Sequence, residues 1–333
     1  MAPREVRQPE VARLLSLLVA ALAAAPVVQA ALTFGLAAAF VIEFVSNGAR
    51  RPLSALTEAP RVEPLPVAGT SADRWVAGGG TPLVLVHGYA PAGKDDPRVQ
   101  EAAALLARAG FDVAVPTIPG LTRGRLRPDD VRPVVATLAA RPRPTVVVTV
   151  SVGAGPALLA AADPAVRDRV RAVLSLGGYA SAAELLRFFL TGEYAWDGIR
   201  GHVVHDPAVV RAFVEANADL LDRPARETLA DPARAAAALS APPPAVAELL
   251  ERLSPERAAR DIRGRLILVH GVDDPTVPYT ESLRLAAARP ARTDVVLVHV
   301  LAHVEAGRRG PSWTALRELV SLVLAVYGLA RAV

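Results

Sequence analysis

The stretch TVVVTVSVGAGPALLAA, from Thr145 to Ala161, contains three local patterns in one short segment. Its first six residues are valine and threonine, a composition typical of a strand covered on both faces of a parallel sheet. Ser151 and a turn rich in glycine and alanine follow, and a helical segment comes next. This stretch alone leaves two roles open for Ser151: a nucleophile presented on a tight turn, or a small residue that lets the turn close.

Strand and helix patterns alternate on both sides of this stretch. Before it, a strand begins at Pro82, and a helix follows in which Asp96 is the N-cap and Pro97 takes the first helical position. After it come three more strand patterns, RAVLSLGG, RLILVHG and DVVLVHV, which are separated by helical segments. This alternation predicts an α/β fold with a doubly wound, mainly parallel sheet, in which ligands bind at the carboxyl ends of the strands.

Composition divides the chain into three parts. Residues 1–45 form an N-terminal hydrophobic segment, residues 46–81 a linker containing proline, glycine and serine, and residues 82–333 the α/β domain. Within that domain, residues 182–262 carry helical patterns without a convincing strand, and this predicts a helical cap inserted between two strands of the sheet. The cap opens with four aromatic residues that either line a substrate site or pack the cap onto the sheet: Phe188, Phe189, Tyr194 and Trp196.

The run from Leu14 to Ile42 has 29 residues without a formal charge. A helix of that length exceeds the roughly 20 residues that a bilayer core requires, so the main prediction is a single N-terminal membrane anchor. Two alternatives remain: a signal peptide cleaved after Ala30, which would make the protein secreted or periplasmic, and a helix docked on the α/β domain or a second subunit. Three arginines lie near each end of the run, so the orientation of the anchor stays open.

Charge and composition exclude several functional classes. The net charge is +4, and the basic residues are interleaved with acidic ones without a basic run that contains aromatic residues, so we expect no nucleic-acid binding. The absence of cysteine excludes disulfides, thiolate catalysis and cysteine-ligated zinc. His202 and His205 are too closely spaced to predict a metal site. His270 and His299 lie within strand patterns and are expected in the core.

A serine hydroxyl becomes a good nucleophile only when a base takes its proton and an acid orients that base. In a sheet of this kind, the acid and the base are expected at the ends of later strands. Asp273 and Asp274 follow the strand that contains RLILV, and His303 follows the strand DVVLVHV. Each feature is weak alone, but their order along the chain favours a catalytic role for Ser151.

The pattern of these residues resembles the α/β-hydrolase family over about residues 82–333. The family's acid motif GxxDxxVP matches the stretch from Gly271 to Pro278 and assigns the acid to Asp274. The histidine that follows the last strand in this family matches His303, and the family's HG motif matches His87 and Gly88. The resemblance therefore implies a catalytic triad of serine, histidine and aspartate.

The resemblance also implies an oxyanion hole made by the backbone N–H groups of Tyr89 and Val152. His87 and Gly88 of the HG turn are then candidate substrate-lining residues. One departure from the family occurs at Thr149, which stands where the GxSxG motif has its first glycine.

The predicted activity is that of a serine hydrolase, esterase-like or lipase-like, that cleaves a small-molecule carboxylic ester through an acyl-enzyme. No metal or organic cofactor is expected, and the apolar N-terminus together with the aromatic cap makes a lipophilic ester plausible. Two alternatives stay open: a serine aminopeptidase or oligopeptidase with the same triad, and a non-catalytic binding protein built on the hydrolase fold. The oligomeric state is not predicted.

Overall fold

The computed structural model describes residues 8–141, 144–217, 219, 223–229, 234, 237, 240–302, 305–306 and 312–332. Two antiparallel pairs of short strands lie outside the main sheet: Glu193–Trp196 with Ile199–His202, and Leu301–Ala302 with Glu305–Ala306. The strands of the described residues are β1 (Arg61–Val67), β2 (Thr70–Val76), β3 (Thr81–Val86), β4 (Phe111–Pro116), β5 (Thr145–Val150), β6 (Val170–Leu176), β7 (Glu193–Trp196), β8 (Ile199–His202), β9 (Arg265–Gly271), β10 (Thr293–Val298), β11 (Leu301–Ala302) and β12 (Glu305–Ala306).

Eight of the described strands form one sheet in the order β1-β2-β4-β3-β5-β6-β9-β10. The six strands from β4 to β10 run parallel, whereas β1 pairs antiparallel with β2, and β2 pairs antiparallel with β4. The sheet is mainly parallel with helices on both faces, so the predicted fold class is confirmed. Parallel strands place their carboxyl ends at one edge, where β3, β5 and β9 deliver the candidate site residues.

Helices cover both faces of the sheet. Helices Val131–Ala140 and Ala154–Ala162 pack on one face, while Gln8–Val45, Pro52–Leu56, Pro97–Arg108 and Trp313–Ala330 pack on the other. The described helices are α1 (Gln8–Val45), α2 (Pro52–Leu56), α3 (Pro97–Arg108), α4 (Val131–Ala140), α5 (Ala154–Ala162), α6 (Ala182–Thr191), α7 (Pro207–Ala216), α8 (Arg223–Leu229), α9 (Pro244–Leu253), α10 (Thr280–Ala288) and α11 (Trp313–Ala330).

The run of β-branched residues in β5 follows from this double covering. Val147 belongs to the core beside α4 and α5, whereas Val146 and Val148 belong to the core on the opposite face. Successive side chains of a strand point to opposite faces, so a strand covered on both sides is apolar throughout. The predicted start of α3 is also confirmed, because the carboxylate of Asp96 accepts the backbone N–H of Arg98.

Residues 46–81, interpreted above as a linker, contain α2, β1 and β2. Strand β2 pairs with β4 through Ala72 to Trp75, so this segment extends the main sheet by two strands. Strand β1 has the sequence RVEPLPV and lies largely exposed at the edge of the sheet. Proline is tolerated in a strand mainly at such an edge, and for that reason the composition resembles that of a linker.

The cap segment 182–262 also contains an element that its sequence pattern did not predict. Strands β7 and β8 form an antiparallel hairpin between helices α6 and α7. Asp197 and Gly198 at its turn have φ angles of 45° and 82°. An Asp-Gly pair with both φ angles positive is typical of a two-residue hairpin turn, so this dipeptide was the signal that could have predicted the hairpin.

The N-terminal helix α1 divides into an exposed part and a docked part. Val27 and Leu32 are 70% and 64% exposed, whereas Ala37 and Val41 are 2% exposed against the domain. The buried carboxylate of Glu43 accepts hydrogen bonds from the backbone N–H and the hydroxyl of Ser54 in α2. The last turns of α1 are therefore fixed to the α/β domain, and the preceding turns extend away from its core.

By length and composition alone, two helices of the described chain reach what a bilayer crossing requires: Ala24–Val45 and Trp313–Ala330. The two helices pack against each other, and the ring of Phe34 lies edge-on to the ring of Tyr327 at 5.8 Å. The membrane anchor and the signal peptide both remain predictions for the N-terminal segment.

A buried ion pair connects β2 and β4 to the chain just after α4. Asp112 is 4% exposed and lies 2.8 Å from the guanidinium groups of both Arg74 and Arg141, of which Arg141 is itself buried. Burial acts to raise the pKa of Asp112, but the hydrogen bonds from the two arginines outweigh it and hold that pKa below its usual value. Asp112 therefore stays ionised and neutralises a buried guanidinium.

We expect Asp112→Asn to lower the free energy of unfolding by about 3 kcal/mol or more, because it leaves Arg141 buried without its counter-charge. Asp294→Asn, which breaks the half-exposed pair with Arg265, should cost less than about 1 kcal/mol. Urea unfolding at pH 7 measures both effects. Because the pKa of Asp112 is lowered on folding, its contribution should persist above about pH 4 and fade as the pH falls further. Equal effects of the two variants would contradict the assignment.

Candidate active site

Ser151 stands on a sharp turn between β5 and α5. Its φ angle is 53°, in the left-handed region that residues other than glycine rarely adopt. Two glycines beside it allow neighbouring backbone to come close: a Cβ on Gly153 would collide with the carbonyl oxygen of His87, and a Cβ on Gly88 would lie 3.1 Å from the Cβ of Ser151. The turn after β3 and the start of α5 therefore meet at Ser151, in the geometry of a nucleophile elbow.

The residue two positions earlier, Thr149, fits beneath this turn despite its size. Its side chain is fully buried between the register partners Val86 and Ser175. Its Oγ1 has no hydrogen-bond partner among the described residues. The sheet therefore accommodates threonine in place of the family's glycine with a buried hydroxyl left unsatisfied.

His87 holds the turn after β3 against the turn after β4. Its Nε2 accepts the backbone N–H of Ile118 at 3.0 Å, and its Nδ1 donates to the carbonyl oxygen of Gly88 at 2.7 Å. The ring is only 2% exposed, and burial lowers its pKa, so the imidazole is neutral with both nitrogens engaged. His87 thus has a positioning role in the structure, whereas Gly88 lies directly against the candidate nucleophile.

The two predicted oxyanion donors follow the residues that meet at this turn. Tyr89 comes directly after Gly88, and Val152 comes directly after Ser151. Gly88 packs against the last residue of β5 and against Ser151. The backbone N–H groups of Tyr89 and Val152 therefore belong to the two segments that meet at the nucleophile, and their role as oxyanion donors stays a prediction.

Asp274 lies in a rigid loop after β9. Its Oδ1 accepts the backbone N–H groups of Thr276 and Val277 at 2.8 and 3.0 Å. Its Oδ2 lies 3.4 Å from Nε2 of His270, a fully buried residue as predicted. Asp274 is 4% exposed, whereas the neighbouring Asp273 is exposed. Asp274 is thus the buried acid of the two, and two backbone N–H groups hold its carboxylate.

His303, the predicted base, lies outside the described residues, but the backbone that leads to it is described. Glu318 in α11 accepts the backbone N–H groups of His299 and Val300 at 2.9 and 3.0 Å. The side chain of His299, which is only partly buried, also bonds to Glu318, at 2.9 Å. This carboxylate fixes the chain three residues before His303.

The cap aromatics separate into two groups. Phe188 is fully buried, and its ring contacts those of His205 and Tyr194, with centroids 4.7 and 5.9 Å away. Phe189 stacks on Phe213 at 4.9 Å. Phe188 and Phe189 therefore pack against other aromatic rings of the cap, and Phe188 has no exposed surface.

Tyr194 and Trp196 lie on the hairpin and face α10, the helix that follows the Asp274 loop. The ring of Tyr194 is 6.2 Å from that of Tyr279, and the guanidinium of Arg284 lies 4.3 Å above the ring of Trp196. Burial, together with the nearby Tyr279 and Asp273, raises the pKa of Tyr194. Tyr279 was not predicted as a site residue, although it directly follows the matched acid motif.

The described residues bring no three histidine or acidic side chains together in an arrangement that could hold a metal ion.

We expect Ser151→Gly to be more stable than Ser151→Ala by about 1 kcal/mol, because glycine adopts a positive φ without strain and alanine does not. Urea unfolding of the two variants measures the difference. At Ser175, a buried position of β6 with ordinary strand geometry, the order should reverse, since glycine weakens a strand. If alanine were more stable than glycine at Ser151 as well as at Ser175, the turn at Ser151 would be unstrained.

No protein-family model matches the chain, and no curated protein matches it at a significant level. Solved structures do match. The puromycin-hydrolyzing peptidase of Mycobacterium tuberculosis has a TM-score of 0.53 at 20% identity, covering 85% of this chain and 42% of its own. A 2,6-dihydroxy-pseudo-oxynicotine hydrolase has a TM-score of 0.51 at 18% identity, covering 82% of this chain and 68% of its own.

The acylaminoacyl peptidase of Pyrococcus horikoshii has a TM-score of 0.52 at 14% identity, covering 81% of this chain and 41% of its own. The chain thus spans less than half the length of the two peptidases. These structures share one fold. With its mainly parallel sheet, the turn at Ser151 and the loop of Asp274, this chain has the α/β-hydrolase fold.

Proposed function

We propose that this chain is a serine hydrolase that cleaves a carboxylic ester through an acyl-enzyme intermediate. The observation that carries the proposal is the backbone at Ser151, which has a φ of 53° at the end of a central parallel strand. Such backbone strain persists only where the surroundings impose it, and it clusters at active sites. The glycine contacts around Ser151 supply those surroundings.

The proposed mechanism uses five residues. The Oγ of Ser151 attacks the ester carbonyl carbon while His303 accepts its proton, and the N–H groups of Tyr89 and Val152 stabilise the oxyanion. His303 then protonates the departing alcohol, which leaves the acyl group on Ser151. His303 then deprotonates a water molecule, which attacks the acyl carbon, and returns that proton to the Oγ of Ser151 as the bond to the acyl group breaks and the acid is released. Asp274 orients His303 and stabilises its charged form.

The surroundings of Asp274 support its role in this scheme. Both backbone N–H bonds to Asp274 end on Oδ1, so two groups of the chain itself hold the carboxylate in place. A carboxylate fixed in this way selects one tautomer of its histidine partner, which is what the acid of a triad must do.

The proposed substrate is a lipophilic small-molecule ester. The exposed apolar residues of α1 support this class, because they place apolar surface on the same molecule as the candidate site. A peptide or aminoacyl amide is the second candidate, since two of the solved structures of this fold are peptidases. Rates on p-nitrophenyl esters and on aminoacyl p-nitroanilides, compared under the same conditions, separate the two candidates.

An alkyl fluorophosphonate should label Ser151 covalently, and Ser151→Ala should abolish both labelling and ester hydrolysis.

Asp274→Asn should lower kcat roughly a thousandfold or more, because the tautomer of His303 is no longer held. The matched control is Asp273→Asn, which changes the neighbouring exposed acid and should leave kcat within a few-fold of that of the wild type. Hydrolysis by Ser151→Ala at the wild-type rate would overturn the proposal.

We further propose that the exposed turns of α1 anchor the protein to a membrane. After washing of membranes at alkaline pH with carbonate, the intact chain should remain in the pellet, and a variant that begins at Ala37 should appear in the soluble fraction. Recovery of the intact chain in the soluble fraction would exclude the anchor. A mature N-terminus at Ala31, determined by mass spectrometry, would instead support the signal peptide.

A further inference from the structure

An apolar cavity of about 90 Å³ lies between the sheet and the helices α1, α3 and α11. Every described residue that lines it is apolar. Helix α1 contributes Phe40 and Phe44, and α11 contributes Leu322 and Ala325. We call this space the α1 cavity. It lies on the face of the sheet opposite to α5.

The α1 cavity reaches the edge of the sheet at which Ser151 stands. Val150, the residue directly before Ser151, lines it, as do Leu176 at the end of β6 and Leu301 just after β10. The carboxyl ends of these parallel strands meet at one edge of the sheet. The cavity therefore extends to the level of the candidate nucleophile.

The apolar lining of the α1 cavity favours an apolar ligand. The apolar atoms that line the α1 cavity lack contact partners on one side, and they offer water no hydrogen bonds. An alkyl group supplies those contacts without burying a polar atom. Engineered apolar cavities of about 150 Å³ bind benzene, so the smaller α1 cavity suits the end of an alkyl chain better than a ring.

Helix α1 supplies one wall of this site. The rings of Phe40 and Phe44 are stacked at 5.9 Å, one helical turn apart. The same part of α1 is held in place by Glu43, whose carboxylate binds Ser54. The docked turns of α1 are therefore a structural part of the cavity, in addition to any role of its exposed turns at a membrane.

We propose that the α1 cavity binds the alkyl end of the substrate's acyl group, and that α1 thereby sets the acyl-chain preference of the enzyme. This inference rests on the proposed esterase function. The substrate class is then a medium-chain acyl ester whose carbonyl carbon meets Ser151 while its chain extends into the cavity.

The test compares kcat/KM for p-nitrophenyl octanoate and acetate, using the full chain in lipid nanodiscs so that no detergent chain competes. Ala325→Phe fills the cavity and should lower the octanoate-to-acetate ratio by about tenfold or more, the effect of losing two buried methylene groups. Phe44→Ala enlarges the cavity and should shift the preferred chain length upward. The matched control is Leu324→Phe, at the neighbouring residue of α11 that is 54% exposed, and it should leave the ratio unchanged.

An unchanged chain-length profile in both cavity variants would overturn the inference while the proposed function stands. A wild-type chain inactive on every ester would overturn the proposed function, and a binding measurement on Ser151→Ala then decides whether the cavity binds alkyl chains. Sodium octanoate should raise the thermal unfolding midpoint of Ser151→Ala, and this rise should be lost when Ala325→Phe is added. Equal midpoints with and without octanoate in Ser151→Ala would rule out alkyl binding as well.

Discussion

The close approach of Gly153 to the carbonyl oxygen of His87 is the contact on which the geometry of the candidate site depends. No Cβ fits between these atoms, so the start of α5 and the turn after β3 meet only because residue 153 is glycine. That contact, together with the packing of Gly88 against Ser151, holds Ser151 at a positive φ. The strain at one residue is thereby balanced by close packing at its neighbours.

Buried polar side chains fix the loops that surround this turn. His87 joins the turn after β3 to the turn after β4, and Asp274 closes its own loop through two backbone N–H groups. Glu281, fully buried at the start of α10, accepts the N–H groups of Ala180 and Ser181, and so connects α10 to the chain that enters the cap. Each of these groups satisfies backbone donors that would otherwise be buried without partners.

The apolar sequence of helix α1 predicts that the helix avoids water, but it does not predict what surrounds the helix. Length and the absence of charge indicate a helix that avoids water, but a bilayer, a docked domain and a second subunit all satisfy that requirement. In the structure the last turns, which contain the buried residues Ala37 and Val41, dock beside α11, while the turns around Val27 and Leu32 stay exposed. The docked and the exposed turns of α1 have similar compositions. They differ only in whether another segment packs against them. The same docked turns form one wall of the α1 cavity, which links the apolar segment to the edge of the sheet where Ser151 stands.

The sequence by itself determined the alternation of strands and helices, the buried β5 strand and the order of Ser151, Asp274 and His303 along the chain, because each depends on residues close to one another in sequence. The sequence pattern did not predict β1 and β2, because the prolines of β1 are compatible with a strand only at the edge of a sheet. It also did not predict the hairpin in the cap, although the Asp-Gly turn was a local signal for it. The structural role of His87, the burial of Phe188 and the division of α1 were decided by the tertiary structure alone. Each depends on contacts between segments distant in sequence, and no local pattern records which segments will meet.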